Sequence, residues 1–137
     1  MWRVCLFAVV SCACSAQPRN TAPDTDTFAT TPLGVSTSTS GAFTVTMYPQ
    51  TGGLVQGLNA VEIVVTDANA SPAGDLPITL VPWMPAMGHG ASTIPNIAIT
   101  APGRYVADDV ALVMPGTWQL RATLTPQEEA VVTVAVP

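Results

Sequence analysis

The octet Trp83-Met84-Pro85-Ala86-Met87-Gly88-His89-Gly90 brings two thioethers, an imidazole and an indole together. His89 is the chain's only histidine, and Met84 and Met87 are two of its five methionines. Thioethers and a neutral imidazole form an uncharged, soft donor set that suits Cu(I). Pro82 and Pro85 forbid a regular helix, so Met84 and Met87 belong to an extended or turned loop between strands. Gly88 and Gly90 let the backbone fold around His89 and present its ring nearby. Met114, in the similar turn Met114-Pro115-Gly116, is the fourth donor such a site would take, and Trp83 would shield the metal by cation–π contact. A plainer reading stands beside this one. Methionine fills gaps at the end of a core, tryptophan anchors cores, and a histidine between glycines can be an exposed turn residue.

Other chemistry finds little support. One histidine excludes a multi-histidine zinc centre. All three cysteines, Cys5, Cys12 and Cys14, lie within the first fourteen residues, which removes thiolates from the rest of the chain. No Gly-x-Ser-x-Gly elbow surrounds a serine, and no glycine loop follows a strand to open a helix on a phosphate. Asp108-Asp109 and Glu128-Glu129 are adjacent acids whose side chains leave a strand on opposite faces, so neither pair is built to share a proton. No catalytic residue is assigned, and the chain is expected not to be an enzyme. With no lysine, four arginines and a net charge of -5 it offers no basic face for nucleic acid. The scattered arginines equally give no electrostatic grip on an anionic membrane.

The N-terminus suggests export. Arg3 and the apolar run Val4 to Val10 have the layout of a secretory signal over residues 1–11, too short to span a bilayer. Val9-Val10-Ser11-Cys12 resembles a lipobox, in which Cys12 (or Cys14) would carry lipid and anchor the protein in the membrane; an ordinary signal cleaved near Ala16 is the alternative. Residues 12–40, crowded with Ser, Thr and Pro, read as a flexible tether. From 41 to 137 the pattern is strand, turn, strand. Phe43, Val45 and Met47 alternate with Thr44, Thr46 and Tyr48. Val61, Ile63 and Val65 form a second strand, and Ile78 to Val81 a third that runs into the Trp83 loop. Ile94 to Thr100, a strand from Arg104, Trp118 to Leu124 and Ala130 to Val136 complete the set. Val110 to Val113 either continues the Arg104 strand or starts its own. The expectation is an all-β, immunoglobulin-like antiparallel β-sandwich of about seven strands, with a small open barrel as alternative. Its core would be Phe43, Ile63, Val65, Ile78, Leu80, Ile97, Tyr105, Leu112, Trp118, Leu120, Val132 and Val134, with Met47 beside them.

Three sequence elements then acquire a common meaning: Gly57-Leu58-Asn59 before a strand ending at Asp67; Met84-Pro85-Ala86-Met87-Gly88-His89; and Gly103-Arg104-Tyr105 followed by Met114-Pro115-Gly116-Thr117-Trp118. On these, the run from Gly57 to Thr123 resembles the YtkA-like domain, an extracytoplasmic module of bacterial lipoproteins, and part of it resembles the FixH proteins. The resemblance implies a β-sandwich facing the periplasm and an association with copper handling or respiratory-complex assembly. One departure is the Asp67 to Asp75 loop, longer and richer in Ala and Ser than the family's tight Asp-Gly turn. Two functions follow. One is a membrane-anchored lipoprotein that binds Cu(I) through Met84, Met87, His89 and Met114 and passes it to a copper-accepting protein. The other is a metal-free, immunoglobulin-like module that docks on an envelope protein through Trp83, Pro85, Met87 and Met114.

Overall fold

The computed structural model describes residues 27–137; the signal segment 1–11 and Cys12 and Cys14 lie outside the described residues. Period-two alternation becomes seven strands in the expected places: β2 (Phe43–Pro49), β3 (Gly57–Asp67), β4 (Thr79–Met84), β6 (Asn96–Ala101), β7 (Arg104–Leu112), β8 (Gly116–Thr125) and β9 (Glu128–Val136). Two short strands join them, β1 (Gly34–Thr37) and β5 (His89–Gly90). They form two antiparallel sheets, ordered β1-β2-β3-β7-β6 and β5-β4-β8-β9. Their inner faces meet as a sandwich, each strand sending alternate residues into the shared core. Among the described residues no helix is long and apolar enough to cross a membrane.

Ten of the twelve expected core residues are buried, as is Met47. Phe43 and Ile97 are half-buried against the cluster's edge. Trp118, Tyr105 and Met47 are the largest side chains wholly enclosed.

Val110 to Val113 does not start a strand of its own: β7 runs from Arg104 through Leu112. It does so through a bulge. Asn59 pairs with Val110 but Val61 with Ala107, so β7 carries one residue more than β3 between those pairs. Asp109 takes φ 60°, a left-handed conformation that Asp tolerates better than most residues. The extra residue re-phases the strand, and Tyr105, Ala107, Val110 and Leu112 all face the core.

The tether expectation needs correcting at its end. Residues 34–37 form β1 on the edge of the first sheet, paired with Thr44 to Met47. The Ser/Thr run that follows has work beyond spacing. Ser38 is buried, and its hydroxyl accepts the Phe43 N–H at 3.1 Å. Thr39 Oγ1 donates to the Glu129 carbonyl and accepts the Glu129 N–H, each at 3.3 Å, while Ser40 N–H donates to Glu128 Oε2 at 3.2 Å. Short hydroxyls thus tie the β1–β2 turn to the β8–β9 turn across the sandwich.

Two of the signature elements hold the fold. A Cβ on Gly103 would stand 2.6 Å from the Val65 carbonyl oxygen, and its φ is +69°, so only glycine fits that turn. Next to it, Tyr105 Oη accepts the Leu76 N–H at 2.8 Å and donates to the Gly74 carbonyl at 2.9 Å. The tyrosine therefore pins the long crossing from β3 to β4. At the other end Asn59 is buried; its Oδ1 accepts the Val55 N–H at 2.9 Å, and its Nδ2 donates to the Val55 carbonyl at 2.9 Å and the Gly57 carbonyl at 3.1 Å. Asn59 shapes the loop between β2 and β3.

Candidate metal centre

β4 and β5 make a hairpin in which Met84 pairs with His89 and Trp83 with Gly90. Pro85 opens the connecting turn with a preset φ, and Gly88 closes it at φ 68°, where a side chain would be strained. The Met87 and Gly88 N–H groups both donate to the Met84 carbonyl, at 3.1 and 3.0 Å. The octet is therefore one tight hairpin, projecting from the end of the second sheet.

Residues paired across an antiparallel ladder lie on one face with Cβ atoms about 5 Å apart. Met84 and His89 are such a pair. Along β4, Leu80, Pro82 and Met84 point into the sandwich, so the Met84 thioether sits at the rim of the core, 7% exposed. Its methyl group faces the companion turn: a Cβ on Gly116 would come within 3.0 Å of Met84 Cε. Gly116 also holds φ +125°, a second reason for glycine there. Met114, two residues earlier, is half-buried against the same cluster. Its carbonyl accepts the Trp118 indole N–H at 3.0 Å, which fixes the turn from within the core.

His89 is exposed. Its Nδ1 lies 3.1 Å from the Gly90 carbonyl oxygen. A carbonyl only accepts, so a hydrogen bond here is donated by Nδ1–H, and Nε2 is the ring nitrogen that the contact leaves unengaged. That arrangement, one ring nitrogen tied to a carbonyl and the other open, is the usual posture of a metal-binding histidine.

Met84, His89 and Met114 thus gather at one end of the sandwich. Met87 lies on the hairpin tip, 57% exposed, three residues beyond Met84 and free to turn. Trp83 goes elsewhere. It points out of the opposite face, where a Cβ on Gly90 would meet its Cε3 at 3.5 Å. There the Arg121 guanidinium carbon stands 4.8 Å from the ring centroid, and Gln119 Oε1 holds Arg121 by accepting from Nε at 3.1 Å and Nη2 at 2.8 Å. The cation over this indole is an arginine, and the sheet separates the ring from Met84. The shielding role expected of Trp83 does not fit that geometry; strict alternation from Met84 would have placed it correctly.

Among the described residues no three His, Cys, Asp or Glu side chains gather around one point. The donors at this end are thioethers and one imidazole, a set whose chemistry fits Cu(I) and not a hard cation. A separate recess of about 270 Å³ opens on the outer face of the first sheet, lined by Phe28, Ala29, Thr30, Tyr48, Glu62 and Arg104. In it Arg104 Nη1 donates to Glu62 Oε1 at 2.8 Å, which pairs an otherwise buried carboxylate.

Neither a curated protein nor a solved structure is similar enough to the chain to match it. A family model described as YtkA-like matches residues 37–123, a span that begins in β1 and ends in β8. It covers more than half of the sequence, takes in the hairpin and the Met114-Pro115-Gly116 turn, and the chain belongs to the YtkA-like family.

Proposed function

We propose that this protein is an exported lipoprotein, anchored by lipid on Cys12 (or Cys14), whose YtkA-like domain binds Cu(I) and exchanges it with a copper-accepting protein, in copper handling or respiratory-complex assembly. The observation that carries the reading is the register pair Met84–His89, with the Met84 methyl against Gly116 and the His89 Nε2 left open. Met84, Met114 and His89 are the donors, and Met87 on the exposed tip completes the set as copper arrives or leaves. Neutral donors carry no charge to attract hard cations, and an exposed imidazole keeps the site open to ligand exchange.

The test is competition for Cu(I) between the protein and a chromogenic chelator. Met84 packs in the core, so its thioether is best removed as Met84→Leu, combined with Met114→Leu and His89→Gln. The wild type should withdraw copper from the chelator and the triple variant should not. Equal competition by the two sinks the copper reading. The mass of the exported chain reads the anchor independently, since a cysteine without diacylglycerol rejects the lipoprotein. The second reading is a metal-free interaction module that docks through Trp83, Pro85, Met87 and Met114 of the same end, and that titration discriminates the two.

A further inference from the structure

We infer that the end of the sandwich carrying the Met84–His89 hairpin rests on a lipid bilayer, with Val55, Leu58, Met87, Ile94 and Val113 entering the headgroup layer. Those five are among the eight large apolar side chains that stand exposed on the described residues, and the topology brings them to one end. β3 begins there and β7 ends there, since Gly57 pairs with Leu112; Leu58 and Val113 flank that pair. Val55 is held in place by Asn59. Met87 tips the β4–β5 hairpin, and Ile94, 85% exposed, stands on the loop from β5 to β6.

Charge marks the same end. Residues 50–58, 84–96 and 113–118 contain no Asp, Glu, Lys or Arg. Among the described residues the nearest acids are Asp108 and Asp109, on the outer face of β7. At the opposite end lie Asp67, Asp75, Glu128 and Glu129, with no basic partner beside them among the described residues. An acidic protein approaching an anionic leaflet is turned with its acids outward, and the uncharged end is the one that faces in.

The chemistry of the patch favours lipid over a protein partner. Protein interfaces concentrate their energy in Trp, Tyr and Arg, and none of these is in the patch, which is Val, Leu, Ile and Met. The chain's own course agrees. Thr51 N–H donates to the Thr27 carbonyl at 2.8 Å, so the segment that leads back toward the N-terminus leaves from this end. A single lipid chain holds a protein only marginally, and stable anchoring takes a second signal; the aliphatic loops would be that signal. The inference rests on the proposed anchor only for the local concentration it provides, since the contact itself needs no lipid on a cysteine. In this orientation Met84 and His89 open at headgroup depth, within reach of a membrane-embedded copper protein.

The test uses the full chain with Cys5→Ser, Cys12→Ser and Cys14→Ser, which removes both acylation and competing thiols. A single cysteine is then introduced as Ile94→Cys or Glu129→Cys and labelled with an environment-sensitive fluorophore. On titration with phosphatidylcholine vesicles, the label at position 94 should brighten several-fold and be quenched by brominated lipid, while that at 129 stays at its value in buffer. Adding Leu58→Ser and Val113→Ser should abolish most of the gain at 94, with the far-ultraviolet circular dichroism unchanged. Like behaviour of the two labels, silence at 94, or an undiminished response in the double variant would each overturn the inference, and silence would leave a protein as the occupant of this end. Neither copper nor lipidation enters the readout, so failure here is distinguishable from failure of the proposed function.

Discussion

Met84 belongs at once to the core and to the candidate site, and two substitutions separate the roles. Truncation to alanine removes the three heavy atoms that fill the rim beneath Gly116. Buried methionine-to-alanine changes cost about 2–5 kcal/mol. Met84 lies at the margin of the cluster, where the Gly116 turn can settle into the space, so the low end applies, about 2 kcal/mol. For a domain of this size each kcal/mol moves Tm by about 4–8 °C, so Met84→Ala should lower it by about 8–16 °C. Met84→Leu keeps the volume and the apolar character and should cost less than about 1.5 kcal/mol. It removes the sulfur, however, and should weaken Cu(I) binding at least tenfold, one decade being about 1.4 kcal/mol. Urea denaturation and chelator competition on the same three proteins check both halves. A Met84→Leu variant that holds Cu(I) as tightly as the wild type refutes Met84 as a ligand. A Met84→Ala variant within about 0.5 kcal/mol of the wild type refutes its packing role.

Gly103→Ala forces a Cβ against the Val65 and Ala73 backbone at φ +69°, and should destabilise by about 2–4 kcal/mol in denaturation, far more than an alanine on a surface turn. Asn59→Ala leaves the Val55 N–H and carbonyl without their partners and should cost about 1–3 kcal/mol, with amide exchange quickening across residues 54–58. The Ser38 hydroxyl, followed by the Ser40 hydroxyl and N–H, holds the Glu128 carboxyl below the ordinary glutamate range. Its folded-state pKa is depressed, so the clamp it forms is fully present above the ordinary glutamate value and is lost as pH falls through the folded one. The Ser40 amide resonance should therefore titrate below that range in the wild type and lose the transition in Glu128→Gln.

The seven longer strands were legible because each alternates apolar and polar residues over enough length to declare a face. β1 was not. Gly34 and Ser36 carry nothing apolar toward the core, and a Cβ on Gly34 would sit 2.8 Å from Val132 Cγ1, so this strand exists by fitting closely against β9. β5 is two residues long and depends on the hairpin that precedes it. The Asp108-Asp109 pair read as adjacent strand acids; both side chains are exposed, and the structural content lies in the backbone of Asp109 instead. At the candidate site the donor types and the companion turn could be read from sequence. The faces could not, since Pro82 and Pro85 obscured the strand between them, and with it the fact that Trp83 and Met84 part company. Of the signature residues, Gly103 and Asn59 had no evident purpose until their contacts and hydrogen bonds were known, and Tyr105 read as a core side chain without its hydroxyl's role in pinning the β3–β4 crossing.

The bulge at Asp109 makes the spacing between two signature elements a matter of parity. From Tyr105 to Leu112 the inward positions run odd and then even, and the single left-handed residue performs the switch. Deleting either aspartate would remove the extra residue and leave Val110 and Leu112 inward on a regular strand, whereas straightening the bulge with both aspartates kept would turn Val110 and Leu112 to solvent and bring Ala111 and Val113 inside. Straightening would also rotate the exit of the strand, swinging the Met114-Pro115-Gly116 turn away from Met84. A relative that lacked one of the two aspartates would therefore keep its methionine turn in place on a regular strand, whereas one of this length needs a residue that tolerates φ near 60° where Asp109 stands.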